Sequence, residues 1–125
     1  MSDPTLTEFL LARIDEDEAE ATSLLRSDAV NDSDSELSWG WERDYGPTGY
    51  LSITPARVLA ECEAKRRLLA DLATFSRIRD QAAEGTTPLP QALTTAGIVT
   101  GLEHAAKLLT LPYADHPDYR QEWKP

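Results

Sequence analysis

A long stretch with helical periodicity at the centre of the sequence limits the possible fold more than any other feature. It begins at Thr54, a favourable N-cap, and Pro55 then fits the first helical position because its missing N–H would have no partner there. Gly85 ends the stretch, since glycine readily adopts the backbone conformation that closes a helix. The pattern predicts a helix over residues 54–84 whose apolar face comprises Val58, Leu59, Cys62, Leu69, Leu72, Phe75 and Ile78.

The N-terminal segment has the same spacing and a strong start signal. Thr5 and Glu8 stand three residues apart, as in a capping box, where each side chain accepts a hydrogen bond from the other residue's backbone N–H. We expect a helix over residues 5–26, with the run DEDEAE at residues 15–20 forming a dense acidic face. Its apolar stripe comprises Leu6, Phe9, Leu10, Ile14, Ala21 and Leu25.

A third helix is predicted over residues 90–110, and Pro112 stops it. Gly97 and Gly101 weaken this helix by about 1 kcal/mol each relative to alanine, so they indicate a kink or a close helix crossing. The side chains expected to point inward are Leu93, Ile98, Leu102, Ala105, Leu108 and Leu109.

The segments between the first and central helices differ from the helices in composition. Residues 27–36, SDAVNDSDSE, have no apolar period and predict a loop. Residues 37–53 contain two aromatic-rich runs, LSWGWER and YLSI, on either side of DYGPTG, which predicts a small β-hairpin. A lone hairpin is marginally stable in water, so we expect it to lie against the helices.

The C-terminal segment, residues 108–125, carries three of the nine aromatic residues. Because each buried ring removes about 150–250 Å² from water, the favoured interpretation is an ordered strap that closes the core. Pro117 can start one short helical turn, which would place Tyr119 and Trp123 on the same side. With a length of 125 residues, we predict a single domain over residues 1–125 that is mainly α: three helices, a hairpin between the first two and the strap.

The net charge of −10 is concentrated in the first third of the chain. Residues 1–36 hold 11 acidic and 2 basic side chains, whereas residues 37–125 hold 11 and 10. This argues against nucleic-acid binding, which needs a basic surface, and suits a basic protein partner. Since no apolar run reaches the about 20 residues of a membrane helix and the N-terminus lacks a basic signal region, we expect a cytoplasmic protein without membrane contact.

Two further features of the sequence indicate structural rather than catalytic or ligand-binding roles. Cys62 is the only cysteine, in phase with the apolar face, so we expect a small buried hydrophobe rather than a nucleophile or a zinc ligand. The basic cluster of Lys65, Arg66 and Arg67 could hold a phosphate or an acidic partner. The favoured interpretation is that it faces the acidic run of the first helix, although exposed pairs contribute little energy.

Three segments resemble a known family. TPARVLAECEAKRRLLA at residues 54–70 and LLTLPYADHPDYRQEWKP at residues 108–125 look like the two hallmarks of the domain-of-unknown-function family numbered 6221, and EFLLARIDEDE at residues 8–18 resembles its N-terminal helix. The family commonly has Asp where Thr54 stands, and both residues are N-caps. The resemblance implies an actinobacterial or phage setting, in which a phage copy would be an accessory protein acting on a host protein, and it supplies no catalytic residues.

Hypotheses from three functional classes follow. The leading one is a small acidic, non-catalytic protein-interaction or accessory protein without a cofactor, whose partner-binding residues are Asp15, Glu16, Asp17, Glu18 and Glu20. The alternative is a metal-dependent enzyme whose ligands or acid–base groups are His104, Asp115, His116 and Asp118. A weaker alternative is a DNA mimic, which needs two rows of carboxylates at phosphate-like spacing. A homo-oligomer is compatible with each of them.

Overall fold

A computed structural model of the protein describes residues 3–26, 37–43 and 46–125, with the backbone alone for residues 37–43 and 46–52. It is mainly helical, with the three helices α1 (Leu6–Arg26), α2 (Pro55–Gln81) and α3 (Leu89–Leu109). The predicted mainly α class and its three helices are therefore confirmed. The predicted loop over residues 27–36 and the side chains of the aromatic residues in the predicted hairpin lie outside the described residues.

The starts of α1 and α2 are made by the predicted caps. The backbone N–H of Thr5 donates to Glu8 Oε2 at 3.1 Å, and the N–H of Glu8 donates to Thr5 Oγ1 at 3.2 Å. At α2, the N–H of Arg57 donates to Thr54 Oγ1 at 3.1 Å. Each bond satisfies a donor that has no partner within its own helix.

α2 ends at Gln81, three residues earlier than predicted, and a wider π-helical turn follows over Ala82–Thr86. Gly85 lies in this turn with φ of 90°. This left-handed conformation is open to glycine but costs other residues about 1–2 kcal/mol, so Gly85 separates α2 from α3 as expected.

Two antiparallel strands, β1 (Leu37–Arg43) and β2 (Gly46–Ile53), lie between α1 and α2 in the chain, with Leu37 opposite Ile53. β2 begins before the run YLSI, and it includes Pro47. Proline is tolerated there because each strand of a two-stranded sheet has an edge at which no N–H is needed for pairing.

The chain divides into two compact units, one formed by Met1–Arg13 with Ala64–Pro125 and the other by Ile14–Glu63. The larger unit buries residues from all three helices and the C-terminal segment: Phe9, Leu10, Leu69, Leu72, Val99, Ala106, Thr110 and Trp123. The smaller unit buries Ile14, Ala21, Pro55 and Cys62. The prediction of one domain stays a prediction.

The buried face of α3 is rotated relative to the predicted one. Val99 and Ala106, neither of which was expected to point inward, are fully buried. Leu93, Ile98 and Leu108 were expected inside, and their exposed fractions are 64%, 37% and 45%. α3 carries apolar residues on every side, so periodicity alone does not select the face that becomes core.

Two other expectations for the helices are wrong. A Cβ atom added at Gly97 or Gly101 would meet no atom within 4 Å, so neither glycine permits a close crossing within the described part of the chain. α3 also runs through both glycines as one α-helix. Ile78, expected on the inner face of α2, is 39% exposed because it lies in the last turn before the helix ends.

The C-terminal segment packs on Phe9 of α1, as the predicted strap requires. The ring centroid of Phe9 lies 6.3 Å from Tyr113, 5.5 Å from His116, 6.3 Å from Tyr119 and 5.0 Å from Trp123. Trp123 is 6% exposed, so its ring belongs to the core of the larger unit.

The predicted short helical turn does not start at Pro117. Pro117 instead stands inside a tight turn, in which the N–H of Tyr119 donates to the carbonyl of His116 at 3.0 Å. Short helical turns span Leu111–Tyr113, before Pro117, and Gln121–Trp123, after it. Tyr119 and Trp123 still share one side, with ring centroids 6.0 Å apart.

Candidate protein-binding site

The acidic residues predicted to bind a partner lie on different flanks of α1 rather than on one face. Asp15 and Glu18 line one surface depression, while Asp17 and Glu20 line another. Since an α-helix has 3.6 residues per turn, a run of consecutive acidic residues must spread around it. Glu16 is exposed, so the predicted dense acidic face is in fact an acidic belt around this part of α1.

The second depression, which we call the acidic groove, has an apolar floor and an acidic rim. It lies within the unit Ile14–Glu63 and has a volume of about 250 Å³. The floor is formed by Ala21, Leu24, Ile53, Pro55 and Val58, and the rim by Asp17, Glu20 and Glu61.

Helical spacing explains which residues meet in the acidic groove. On α1, Asp17, Glu20 and Leu24 recur at intervals of three and four, so they share one side of the helix. On α2, Val58 and Glu61 are three residues apart, in the first two turns after the Thr54 cap. The cap therefore helps to place both the floor and the rim.

The deepest residues of the acidic groove belong to its floor, and its most exposed ones to the rim. Pro55 is fully buried, and Ala21 is 3% exposed. Glu20 and Glu61 are exposed, whereas Asp17 is half-buried. A ligand in the groove would therefore meet apolar surface below and carboxylates at the edge.

One carboxylate of the rim takes part in an exposed ion pair. Glu61 Oε1 accepts from Arg57 Nε at 3.1 Å, but the two side chains are 50% and 65% exposed, and such exposed pairs contribute little. Among the described residues that line the groove there is no lysine or arginine. The groove can thus attract a cationic group and hold its aliphatic part against the floor.

The size of the groove favours a partner's side chains over a small molecule. Pockets for drug-sized ligands and cofactors are typically about 300–1,000 Å³, and they enclose most of the ligand. At about 250 Å³ the acidic groove is smaller than this range. It has room for one or two side chains of a protein segment.

Two groups of the alternative metal or acid–base site meet, since His116 Nδ1 lies 4.0 Å from Asp118 Oδ2. Among the described residues there is no group of three His, Cys, Asp or Glu side chains that could hold a metal ion. His116 Nδ1 accepts from the backbone N–H of Asp118 at 3.1 Å, and His116 Nε2 contacts Arg13 Nη1. Each ring nitrogen of His116 thus has a contact within the chain, and His104 and Asp115 are exposed.

The basic cluster of α2 is partly engaged with the C-terminal segment. Lys65 Nζ donates to Tyr113 Oη at 3.3 Å and lies 5.6 Å from the centroid of that ring. This contact ties α2 to the strap, so the first residue of the cluster has a structural role other than the expected one. That Arg66 and Arg67 face the acidic run stays a prediction.

Cys62 is a buried thiol, as predicted. It is 2% exposed, and its Sγ lies 3.8 Å from the carbonyl oxygen of Ile14. A thiol is a weak hydrogen-bond donor, so Cys62 acts here chiefly as a small apolar side chain.

Sequence reasoning missed Glu61 and the whole floor of the acidic groove. The spacing of Pro55, Val58 and Glu61 does mark one side of α2, but nothing in the sequence pairs that side with Asp17 and Glu20. Only the packing of the smaller unit brings the two helices to one depression.

These features define a small, mainly helical protein with an acidic groove. The chain belongs to DUF6221, a family of unknown function, whose model matches residues 3–125. This confirms the family to which three segments of the sequence were assigned by resemblance, and the match extends over nearly the whole chain. No curated protein and no solved structure matches it. In the described part of the chain, no helix combines the length and apolar character that crossing a bilayer requires.

Proposed function

We propose that the protein is a non-catalytic interaction module that binds a basic, partly apolar segment of a partner protein in the acidic groove. The observation that carries this proposal is the position of Asp17, Glu20 and Glu61 around an apolar floor. The proposal narrows the predicted binding surface from the whole acidic run to one flank of α1, and it adds residues of α2.

The charge distribution supports a cationic partner. Residues 1–36 have a net charge of −9, while the rest of the chain is close to neutral. Such a concentration of charge steers oppositely charged partners toward one region and raises their association rate at low salt. The part of the acidic groove that α1 forms, including Asp17 and Glu20, belongs to this charged region.

The apolar floor adds specificity to this attraction. Lysine and arginine carry long aliphatic stems, which can lie on Leu24, Ile53 and Val58 while the charged head meets the rim. A helical partner segment with basic and apolar residues at intervals of three and four would present both kinds of group to the groove.

The cellular setting is part of the proposal. We place the interaction in the cytoplasm and, for a phage-borne copy, on a host protein, because the resemblance implies an actinobacterial or phage setting for this family. The acidic charge and the lack of a basic surface at residues 1–36 support a protein partner over nucleic acid.

A designed peptide that presents the chemistry expected of the partner tests the proposal directly. The probe is a fluorescent helical peptide of about 14 residues, with lysine and leucine at intervals of three and four. We expect its fluorescence anisotropy to rise on titration with the protein, and the affinity to fall as salt is raised from about 50 to 300 mM, because screening weakens charge attraction.

Charge reversal within the groove should remove this binding. Asp17→Lys with Glu20→Lys should weaken binding at least tenfold, and Glu20→Lys alone, at an exposed side chain, should weaken it in part. The matched control is Glu84→Lys with Asp115→Lys, which makes the same charge change at exposed positions of the other unit. Circular dichroism verifies that each variant keeps its helix content.

Two outcomes would overturn the proposal. Equal loss of binding in Asp15→Lys with Glu18→Lys would show that the acidic belt as a whole, and not the groove, attracts the peptide. Unchanged affinity after Val58→Asn would show that the floor makes no contact. Neither the enzyme nor the DNA mimic is favoured by a specific observation on the described residues.

A further inference from the structure

The outer side of α3 is unusual for a helix surface that faces solvent. Leu93, Gly97, Gly101, His104 and Leu108 follow one another at intervals of three and four, so they share one side, which we call the α3 outer face. Helical geometry places this side opposite Val99 and Ala106, which are fully buried. The exposed fractions of Leu93 and Leu108 are 64% and 45%.

The part of the α3 outer face before His104 carries no charged side chain. No charged residue occurs from Leu89 to Leu102, in a chain of which 27% is charged. The hydroxyls of Thr94 and Thr100 donate to carbonyls of their own helix at 2.9 and 3.0 Å. These donors are therefore satisfied without water, as they must be at an interface from which water is excluded.

The two glycines of this face are explained by no contact within the described residues. Each costs a helix about 1 kcal/mol relative to alanine. A Cβ at either position would lie in open space. Between two exposed leucines, they leave a shallow notch in which a second helix could approach the backbone closely.

We propose that the α3 outer face is a self-association surface, at which a second copy of this chain packs through its own α3. The charge of the protein favours this occupant. Two chains of net charge −10 repel one another. They approach with least repulsion where neither carries charge, and residues 89–102 of α3 supply such a strip on both.

The pattern of the face is also self-complementary. In a two-fold antiparallel pair of α3 helices, Gly97 of one copy lies against Gly101 of the other, and the leucines pack on either side of the crossing. The same patch thus serves both copies, as a closed dimer requires.

The size of the face predicts a weak dimer. α3 has 21 residues, and a helix of that length is about 31 Å long and 10–12 Å across, so one side offers less than the about 800 Å² per partner of a standard interface. We therefore expect a reversible monomer–dimer equilibrium with a dissociation constant in the micromolar range or above.

Sedimentation of the full chain over about 1–500 µM tests this proposal. We expect the weight-average mass to rise from one chain toward two, and the rise to become larger at higher salt, since screening reduces repulsion between acidic copies. Peptide binding in the acidic groove has the opposite salt dependence, so the two proposals can fail independently.

Substitutions test whether the α3 outer face, rather than another part of the surface, mediates self-association. Leu93→Glu with Leu108→Glu should weaken association at least tenfold. Leu11→Glu with Ile78→Glu is the matched control, because these residues of α1 and α2 are also exposed, at 37% and 39%, and the same two added charges should have a smaller effect there. Gly101→Gln places a helix-favouring side chain in open space, so it should weaken association while the dilute monomer keeps or gains thermal stability.

Three results would overturn the proposal. One is a wild-type chain that stays monomeric over the whole concentration range. Another is a dimer that persists in the double glutamate variant. The third is a fall in the melting temperature of dilute Gly101→Gln, which would mean that a segment of the same chain covers the face.

Discussion

The ring of Trp123 lies 5.0 Å from the ring of Phe9, centroid to centroid, and joins the C-terminal segment to α1 across more than a hundred residues of sequence. Both rings are buried, Phe9 at 2% and Trp123 at 6% exposure. Tyr119 and Tyr113 add edge-on contacts to the same ring of Phe9. The aromatic residues of the tail thus form part of the core of the larger unit.

Trp123→Ala should therefore lower the free energy of unfolding by about 3–5 kcal/mol, because it removes a buried ring and leaves a cavity. Urea denaturation followed by circular dichroism measures this loss. The exposed neighbour Lys124→Ala is the control and should change stability by less than about 0.5 kcal/mol. Equal stability of the two variants would mean that the tail does not contribute to the core.

Thr54→Ala should lower the free energy of unfolding by about 1 kcal/mol, because the N–H of Arg57 loses the hydroxyl that caps α2. Thr54→Asp should retain most of the stability, since aspartate is an equally good N-cap. Denaturation midpoints of the three proteins provide the measurement. If the aspartate variant is as unstable as the alanine variant, the cap is not the source of the effect.

Gly85 and Gly97 should respond to alanine with opposite signs. Gly85→Ala should destabilise the protein by about 1–2 kcal/mol, because the residue would have to keep φ of 90°. Gly97→Ala should stabilise the dilute protein by up to about 1 kcal/mol, because Gly97 is helical and its Cβ would meet nothing. Thermal unfolding of both variants at low protein concentration measures the two effects. If both variants changed stability in the same direction, the conformations of the two residues would be contradicted.

Cys62 should be protected from thiol reagents in the native protein. At 2% exposure its Sγ cannot be reached without opening of the structure. Reaction with Ellman's reagent should be slow in buffer and complete in denaturant. A fast reaction in buffer, at unchanged helix content, would show that α2 opens locally or that the thiol is accessible.

Divalent metals should not raise the melting temperature through His116 and Asp118, because no third potential ligand joins them among the described residues. A ligand that binds only the native state raises stability in proportion to the logarithm of its concentration over its dissociation constant, so calorimetry with millimolar Mg²⁺, Mn²⁺ or Zn²⁺ is a sensitive test. A metal-dependent rise in the melting temperature that His116→Ala abolishes would instead support a metal site in the C-terminal segment.

The degree to which the structure follows from the sequence differs between its parts. The caps at Thr5, Glu8 and Thr54 were predictable, because each bond joins residues three positions apart. The burial of Trp123 was predictable for another reason: a segment rich in large rings gains most from leaving water. The positions of the three helices along the chain followed from such local signals.

The acidic groove was harder to predict from the sequence than the helix caps. Sequence placed Asp17 and Glu20 in an acidic helix, but Glu61 was not connected with them. The carboxylates of the rim come from two helices, and their meeting depends on how the unit Ile14–Glu63 packs. The charge pattern of α1 does not reveal which residues of α2 form the other side of the groove.

The sequence by itself determined where the capped helices α1 and α2 begin, which residues carry the charge and which family the chain belongs to. The tertiary structure decided which side of α3 became core, where Val99 is buried and Leu93 is not. It also decided which of the acidic residues share a groove. The physical reason is that capping and helix propensity act between neighbours in the chain, whereas burial is a property of surfaces that only packing brings together.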